Sequence, residues 1–361
     1  MPEVSPPKKN LKPTATRIEW SKLAGLTIRV TVPATSANLG PGFDCLGLAL
    51  KLYDEVTFTI TDGPTTVEVT GEGATDVPLD EGHLVLKAFR RALEVFGFSQ
   101  PNVKLYCLNR IPHGRGLGSS AAATVAGIMA ARALVIDRDI RTLTGHAAQW
   151  IPLDKVLELA TEFEGHPDNA APAIHGGATV SWNENGVPKA VNFEVSKQLR
   201  AILFVPQTTL ATKKARALLP QQVPFADAVF NVGRAALLVA ALSGALNITN
   251  LKAATEDKLH QNYRASAMPE SAELVSKLRA PFGPLGIGGS AAVISGAGPS
   301  VLIFGKHDEA WRSIDDEPLT EQDYIDIYKD KFKSLGIDHT RWRILPLGVD
   351  EKGAQVTCEL A

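Results

Sequence analysis

The sequence predicts an α+β protein with two domains, and three observations lead to that class. Its 361 residues exceed the usual length of one compact domain. Hydrophobic residues make up 45% of the chain and charged residues 21%, as in globular proteins with buried cores. The predicted strands come in clusters and are not each followed by one helix, as they would be in a doubly wound sheet.

Residues 1–25 predict a disordered N-terminal extension, because they are rich in proline and lysine and show little apolar periodicity. They lack the long apolar core of a secretory signal, and an organelle-targeting peptide is the alternative. An ordered domain is predicted over residues 26–195. Alternating β-branched residues predict its strands, at 27–32, 55–60, 66–70, 103–108 and 177–182. Apolar residues at helical spacing predict its helices, at 82–96, 121–134 and 153–164.

A second domain is predicted over residues 196–361, after the polar, turn-rich stretch 183–197. The same patterns predict its strands, at 200–205, 291–294, 301–304, 342–347 and 354–359. They also predict its helices, at 226–242, 251–260, 270–279 and 323–335. The richest apolar stretch, residues 235–246, predicts a buried helix and is shorter than the roughly 20 residues that span a bilayer.

Charge and cysteine content exclude some partners and settings. With 37 basic and 39 acidic residues the formal charge is −2, so no overall basic field draws the chain to nucleic acid or to a membrane. Cys45, Cys107 and Cys358 are isolated and odd in number, which fits neither a disulfide framework nor a metal site. A reducing compartment, the cytoplasm, is therefore predicted.

A glycine-rich loop at residues 112–120 is the strongest local signal. A predicted strand enters it, a predicted helix leaves it, and its three glycines permit close backbone approach. The helix N-terminus offers unpaired N–H groups to a phosphate, and two serines add hydroxyls for phosphate oxygens or Mg²⁺. The predicted phosphate-binding residues are Pro112, His113, Gly114, Arg115, Gly116, Leu117, Gly118, Ser119 and Ser120.

Two other interpretations of this loop stay open. Gly116, Gly118 and Ala121 fit the dinucleotide pattern G-x-G-x-x-A, and Asp137 lies about 20 residues further on. The position of the loop, after several antiparallel-looking strands, argues against that pattern. The loop can also be a plain turn before an ordinary helix cap. It is not a Walker P-loop, because the terminal Lys-Ser/Thr is missing.

Three segments together resemble a known family. Residues 33–44, the glycine-rich loop and residues 295–300 occur in the order of the three motifs of the GHMP kinases, the superfamily of galactokinase, homoserine kinase, mevalonate kinase and phosphomevalonate kinase. Residues 33–44 and 166–169 resemble its homoserine kinase branch, in a fungal-like member. The resemblance runs from about Ile28 to the C-terminus. It implies an ATP-binding N-terminal domain of the ribosomal protein S5 domain 2 type and a ferredoxin-like C-terminal domain.

The resemblance also implies roles for single residues. It assigns Mg²⁺ to Ser120 and Glu164, and Glu162 is the substitute because the spacer to the 166–169 motif is shorter than in bacterial members. Asp168 is a candidate base that can also simply brace its loop. The implied catalytic residues are Ser120, Glu164, Thr212 and Arg216. The implied substrate-binding residues are Asn38, Asp44, His166, Asn169, Arg216 and Arg264.

The implied substrate is an α-amino acid, since one carboxylate suits its ammonium and two arginines suit its carboxylate. The resemblance implies transfer of the ATP γ-phosphoryl group to the side-chain hydroxyl of L-homoserine, giving O-phospho-L-homoserine and ADP, in threonine biosynthesis from aspartate. A sugar or mevalonate kinase and a catalytically silent nucleotide sensor are the alternatives. A homodimer is expected from the family.

Some of these positions have plainer interpretations. Asn38 and Asp44 lie between Pro and Gly, where both residue types commonly make turns. A lone histidine such as His166 is often a structural hydrogen-bonding group. Residues 295–300 can be a turn that packs against the glycine-rich loop. Family members commonly have Asn in place of His83, so the resemblance implies no adenine-contacting residues in that region.

Overall fold

The structure, a computed structural model, describes residues 18–144, 150–197, 199–246, 250–280, 290–306 and 320–360. Its strands are β1 Thr27–Ala37, β2 Leu46–Thr61, β3 Thr66–Gly71, β4 Asn102–Asn109, β5 Ala178–Glu184, β6 Val187–Phe193, β7 Leu199–Pro206, β8 Ala291–Ile294, β9 Val301–Lys306, β10 Trp342–Leu347 and β11 Gln355–Glu359. Its helices are α1 Leu84–Phe96, α2 Ser119–Ile136, α3 Arg138–Thr144, α4 Leu153–Glu164, α5 Ala170–His175, α6 Thr212–Arg216, α7 Phe225–Leu242, α8 Leu251–Ala254, α9 Gln261–Arg264, α10 Pro269–Arg279 and α11 Glu321–Ser334.

Seven strands form the first sheet, in the order β11-β1-β2-β4-β3, with β5 and β6 joined to it through β2. β3 and β4 are parallel, and the other neighbours are antiparallel. Helix α2 packs against β1, and α1 packs against α2. Small residues let α1 and α2 approach closely: a Cβ added to Gly127 would lie 2.3 Å from the Val85 carbonyl oxygen. Helix α2 is therefore a buried core helix.

Four antiparallel strands form the second sheet, in the order β10-β7-β9-β8. Helices α10 and α11 pack against it over an aromatic core that contains Phe204, Tyr324, Phe332 and Trp342. The succession of β7, helices, β8, β9, α11 and β10 is the β-α-β-β-α-β arrangement of ferredoxin-like folds. The predicted α+β class is confirmed.

Strands β6 and β11 can be compared with the domain boundary predicted at residue 195. The stretch 183–197, expected to be irregular, contains β6, which pairs with β5. Strand β11 lies in the predicted second domain, yet it pairs with β1, with Glu359 opposite Thr27. The first sheet therefore takes strands from both predicted domains, and the domain limits themselves stay a prediction.

The predicted disordered extension needs a correction at its inner end. Residues 1–17 lie outside the described residues, but residues 18–25 are packed against the first sheet. Ile18 and Leu23 are buried, and Trp20 donates an indole hydrogen bond of 3.0 Å to Ser99 Oγ. Burial of these apolar side chains orders the end of the segment, although its proline- and lysine-rich composition predicts disorder.

The predicted buried helix at 235–246 is confirmed in part: α7 buries Leu238, Ala241 and Leu242, whereas Leu246 lies beyond its end and is 38% exposed. Helix α7 ends at Leu242, and its apolar side chains at Phe225, Val229 and Val232 are 85%, 56% and 72% exposed. By length and hydropathy alone α2 and α7 resemble membrane spans, but 67% of the α2 window is buried in the fold, against 22% for α7. The apolar composition predicted the helix correctly, but it does not show which side of the helix another element covers.

The helix predicted at 251–260 is interrupted. Helix α8 ends at Ala254, and α9 begins at Gln261. Between them the Asp257 carboxylate accepts backbone N–H bonds from Leu259, His260 and Gln261, at 2.8–3.0 Å. This local capping competes with continuation of the helix and starts a new one, which carries Arg264.

Candidate active site

A cavity of about 290 Å³ lies between the glycine-rich loop, the loop from β1 to β2 and the turn from β8 to β9. It brings most of the residues singled out in the sequence into one space. Those that line it are Asn38, Asp44, Gly114, Gly116, Leu117, Gly118, Ser119, Ser120, Glu164, His166, Asp168, Asn169, Thr212, Arg216 and Arg264. Their proximity is a finding, and their individual roles stay predictions.

The glycine-rich loop forms one wall of this cavity. Gly114, Gly116 and Gly118 have φ angles of 64°, 72° and 70°, in the left-handed region that favours glycine. Gly118 precedes the first residue of α2, and no side chain caps this helix end. The first-turn N–H groups and the positive end of the helix dipole therefore face a space that suits an anion.

The dinucleotide interpretation of this loop is excluded by its surroundings. Strand β4, which enters the loop, is antiparallel to β2, and its parallel neighbour β3 precedes it in the chain. Among the described residues, α2 is followed by α3, α4 and α5 before the next strand. Asp137 instead accepts a backbone hydrogen bond of 3.0 Å from Ile140 at the start of α3.

A carboxylate and a hydroxyl meet beside the loop. The Ser120 hydroxyl donates to Glu164 Oε1 at 2.6 Å, and the Thr124 hydroxyl donates to the same oxygen at 3.3 Å. Burial raises the pKa of Glu164 above its ordinary value, against the effects of the Ser120 bond and of His166. Glu162, the substitute metal ligand, is exposed and pairs with Arg91 at 3.0 Å, away from the cavity.

The turn from β8 to β9 packs against the glycine-rich loop, as its plainer interpretation predicts. Ser295 Oγ lies 2.7 Å from the Gly116 carbonyl oxygen and 2.8 Å from Ser36 Oγ. A Cβ on Gly116 would lie 2.2 Å from the Ser295 carbonyl oxygen. On the other side, the Thr35 N–H donates to the Leu117 carbonyl at 3.0 Å, and the Thr35 hydroxyl donates to Asn169 Oδ1 at 2.8 Å. These contacts fix the shape of the loop from both sides.

The loop from β1 to β2 holds a carboxylate in a constrained backbone. Asn38, Leu39 and Asp44 all have positive φ angles, of 67°, 51° and 57°. The Asn38 amide bridges the loop to its neighbours: it donates to the Gly296 carbonyl at 2.9 Å and accepts the Asp44 N–H at 3.0 Å. Arg216 pairs with Asp44 through two hydrogen bonds, of 2.6 and 2.8 Å.

A second guanidinium lies deeper in the same cavity. Arg264 is 1% exposed, and its Nη1 lies 3.3 Å from both the Gly296 carbonyl oxygen and His260 Nδ1. Its Nε is buried with no hydrogen-bond partner among the described residues. The guanidinium carbons of Arg264 and Arg216 each lie 5.3 Å from the centre of the Phe43 ring, a favourable cation–π distance.

His166 and Asp168 form a hydrogen-bonded pair at the edge of the cavity. His166 Nδ1 lies 2.5 Å from Asp168 Oδ1, and Asp168 is almost fully buried. Burial lowers the pKa of His166, but the hydrogen bond and charge of Asp168 outweigh it and raise that pKa overall. Asp168 also lies 3.4 Å from the Asn169 amide nitrogen. The carboxylate therefore braces both neighbouring side chains.

Three predicted phosphate-binding residues lie outside this cavity. Arg115 donates to the carbonyl oxygens of Pro206, His113 and Gln207, at 2.8–3.0 Å, so its side chain fastens the loop to the end of β7. With Pro112 it lines a separate cavity. His113 lines a further cavity together with His83. Their side chains are therefore not placed to contact phosphate in the first cavity.

That further cavity, of about 300 Å³, adjoins the glycine-rich loop and shares Gly114, Ser119 and Ser120 with the first. Its walls are mostly apolar. His83 is 4% exposed, and its Nδ1 is buried without a hydrogen-bond partner among the described residues. Burial, with His113 nearby, lowers the pKa of His83 below its ordinary value. The wall of this cavity thus contains a buried ring nitrogen without a hydrogen-bond partner among the described residues.

Sequence reasoning missed some residues that contribute to the site. Phe43 contacts both arginines, and Thr124 shares the Glu164 oxygen with Ser120. Phe43 lies within the first motif, next to Asp44, so its position there was a usable signal. Thr124 is four residues after Ser120 on α2, and helical spacing would have placed both on one face.

Comparisons with known proteins agree with this geometry. Residues 83–177 match the family model of the GHMP kinases N terminal domain. The chain is 46% identical over 329 residues to the homoserine kinase of Streptomyces coelicolor, covering 91% of this chain and 94% of the relative. The solved homoserine kinase of Cytophaga hutchinsonii matches with a TM-score of 0.68 and 27% identity, over 92% of this chain and 97% of that chain. Mevalonate diphosphate decarboxylase from Staphylococcus aureus shares the fold, with a TM-score of 0.62 and 15% identity, over 92% and 98%.

Proposed function

The chain belongs to the homoserine kinase family, and we propose that the cavity described above carries out that family's reaction. The enzyme is an ATP-dependent small-molecule kinase. It transfers the γ-phosphoryl group of ATP to the side-chain hydroxyl of L-homoserine and releases O-phospho-L-homoserine and ADP. A cytoplasmic location and a homodimer stay predictions.

The nucleotide is proposed to span the two adjoining cavities. Its triphosphate lies along the glycine-rich loop, where the uncapped N-terminus of α2 suits an anion. Its base enters the apolar cavity that shares Gly114, Ser119 and Ser120 with the first. His83 Nδ1 there can hydrogen-bond a ring edge. In this assignment His83, which stands where family members commonly have Asn, contacts the base directly.

Mg²⁺ is proposed to be held by Ser120 and Glu164. The donor set fits the ion, which binds oxygen ligands and commonly uses one or two carboxylates together with phosphate oxygens. The Ser120 hydroxyl oxygen and Glu164 Oε1 already lie 2.6 Å apart. They lie beside the N-terminus of α2, next to the proposed triphosphate. When bound, the ion would neutralise negative charge on the phosphate oxygens.

The amino acid is proposed to lie at the opposite end of the cavity. Asp44 binds its ammonium, and Arg264 and Arg216 bind its carboxylate, since a planar guanidinium can bind both carboxylate oxygens. This leaves the side-chain hydroxyl to approach the γ-phosphate. Positioning and electrostatic stabilisation provide most of the catalysis, because the loose transition state of phosphoryl transfer needs little covalent help.

One observation carries this proposal: an anion-binding helix end and a set of groups for a zwitterion share one cavity. The test is coupled ADP release with homoserine, serine, mevalonate and galactose compared side by side. Homoserine should give the highest kcat/KM. A preference for mevalonate or galactose would assign another reaction of the superfamily, and Mg-ATP binding without turnover of any acceptor would indicate a nucleotide sensor.

A further inference from the structure

We propose that the ion pair between Asp44 and Arg216 is an exchangeable contact that selects ligands carrying an ammonium and a carboxylate on the same carbon atom. The inference rests on the proposed function of the same cavity and adds how that cavity rejects ligands with one charge. In this structure the residue proposed for the ammonium and one of the residues proposed for the carboxylate bind each other.

Asp44 is fully engaged in this pair. Arg216 Nη1 donates to Oδ2 and Nη2 donates to Oδ1, so both carboxylate oxygens are bound. A substrate ammonium therefore has to displace Arg216 to reach Asp44. The two side chains remain 33% and 40% exposed. Because a pair open to solvent is only weakly stabilising, it can be opened by a ligand.

Arg264 differs from Arg216 in lacking such a partner. It is 1% exposed and belongs to none of the ion pairs among the described residues, although the charges of Asp44, Asp168 and Asp257 act on it from further away. Its Nε has no hydrogen-bond partner in the described part of the chain. Buried charges in stable proteins are paired, so this guanidinium indicates a ligand carboxylate. The cavity therefore has one cation ready for an anion and one cation that must first be released.

An α-amino acid restores every broken contact when it enters. Its ammonium replaces Arg216 at Asp44, and its carboxylate, one bond away on the same carbon, can bind the released Arg216 as well as Arg264. A ligand with only an ammonium opens the pair and leaves Arg216 without an anion. A ligand with only a carboxylate can bind Arg264 but can recruit Arg216 only by leaving Asp44 unpaired. Each one-charge ligand therefore has a reduced apparent affinity.

The decisive ligand is 3-aminopropan-1-ol, which is homoserine without its carboxylate. Its dissociation constant is measured by ligand-observed NMR titration with the full chain and with the variants Arg216→Gln and Lys213→Gln. Without Arg216, Asp44 is free and no pair has to open. We expect Arg216→Gln to bind the amino alcohol about fivefold more tightly than the wild type, while binding homoserine more weakly. Lys213→Gln removes an equal charge from the exposed face of α6 and should change both constants by less than about twofold.

A second variant separates the contact from the net charge of the cavity. Arg264→Gln removes a positive charge from the same cavity without touching Asp44, and its fold is checked by thermal denaturation. If it improves amino alcohol binding as much as Arg216→Gln does, or if Arg216→Gln brings no improvement, the inference is wrong. The mirror ligand, 4-hydroxybutyrate, should bind Asp44→Asn more tightly than the wild type.

These outcomes are separable from the proposed function. ADP release with homoserine is measured on the wild type first. An active wild type whose Arg216→Gln variant shows no gain for the amino alcohol overturns the ion-pair inference alone. A folded wild type that neither binds nor phosphorylates homoserine overturns the proposed function, and the inference fails with it.

Discussion

At the scale of single residues, Glu164 is a carboxylate that the fold keeps inside the cavity and supplies with hydroxyl donors. Burial raises its pKa, and Ser120 and Thr124 both donate to its Oε1 oxygen. A cation beside it would favour the charged form, because an opposite charge within a few ångströms lowers the pKa of a carboxyl group. This arrangement fits a metal ligand better than a surface glutamate.

We expect Glu164→Ala to lower kcat at least about tenfold with the fold intact, because a metal ligand is lost. The measurement is ADP release across a Mg²⁺ titration, with circular dichroism to check the fold. Glu162→Ala is the matched control, since Glu162 pairs with Arg91 at the surface and should give normal turnover. Normal turnover in Glu164→Ala would move the metal elsewhere.

Arg264→Leu should raise KM for homoserine far more than KM for ATP. The guanidinium lies at the proposed amino-acid end of the cavity, remote from the proposed base site, and leucine cannot bind a carboxylate. Initial rates with each substrate varied in turn give the two constants, and the ATP constant serves as the internal reference. Equal increases in both would remove Arg264 from the amino-acid site.

His83→Phe should have the opposite selectivity. The larger apolar ring would occupy part of the 300 Å³ cavity and remove the unpartnered Nδ1, so KM for ATP should rise while KM for homoserine stays nearly constant. His83→Asn keeps a polar side chain that can hydrogen-bond a ring edge and should bind ATP close to normally. A change confined to homoserine would show that the base binds elsewhere.

The sequence could predict which residues gather in the site, but not which way each side chain points. Ser120, Glu164 and Asp44 follow from motifs whose order matches a known family. Arg115 belongs to the same motif, yet it donates to backbone carbonyls behind the loop. That direction depends on the end of β7, which is some 90 residues away in the chain and has no trace in the motif.

At the scale of elements, the site depends on how closely α2 approaches α1. Gly127 lets the two backbones meet, and an added Cβ would lie 2.3 Å from the Val85 carbonyl oxygen and 2.8 Å from the Phe89 nitrogen. Backbone atoms cannot rotate away as a flexible side chain can. A larger residue would therefore push α2, and with it the helix end proposed to bind phosphate, away from its place.

We expect Gly127→Ala to lower the free energy of unfolding by about 1–3 kcal/mol, as overpacking of cores does. Gly233→Ala is the matched control: it lies on exposed α7, where an added Cβ would meet nothing within 4 Å. That change should raise the free energy of unfolding by about 0.5–1 kcal/mol through helix propensity. Urea denaturation of both variants gives the comparison, and equal signs would contradict the packing argument.

Secondary-structure elements were predicted correctly where the apolar periodicity was strong. The predictions failed where local polar groups, or the absence of a neighbouring element, determined the structure. Helix α4 and strands β8 and β10 have the expected bounds. Strand β6 was missed because its polar sequence reads as a turn and its pairing with β5 is what makes it a strand. The exposed side of α7 was missed because hydropathy does not report whether a neighbour exists.

At the scale of the whole molecule, β11 ties the end of the described chain to its beginning. It covers the edge of β1 with five residue pairs, from Thr27 opposite Glu359 to Thr31 opposite Gln355. Val356 and Cys358 pack against the first core. Without β11, β1 would present an open edge of unpaired backbone groups, which promotes association between chains.

We expect a chain that stops after Ala354 to unfold at a lower temperature and to aggregate. The control stops after Glu359, which retains β11 and removes only Ala361 and the exposed Leu360. Thermal unfolding followed by light scattering distinguishes the two chains. Identical behaviour would show that the β1 edge tolerates exposure and that β11 contributes little to stability.

The position of β11 near the end of the sequence also determines when the first sheet can be completed during biosynthesis. A ribosome that has completed β6 must still translate about 160 residues before β11 emerges, on the order of ten to thirty seconds at usual elongation speeds. Through that interval the nascent first sheet has an open border, while the second sheet is being made. Chaperones that bind nascent chains are expected to bind at β1. Slow translation should therefore be more harmful here than in a protein whose domains are completed one after another.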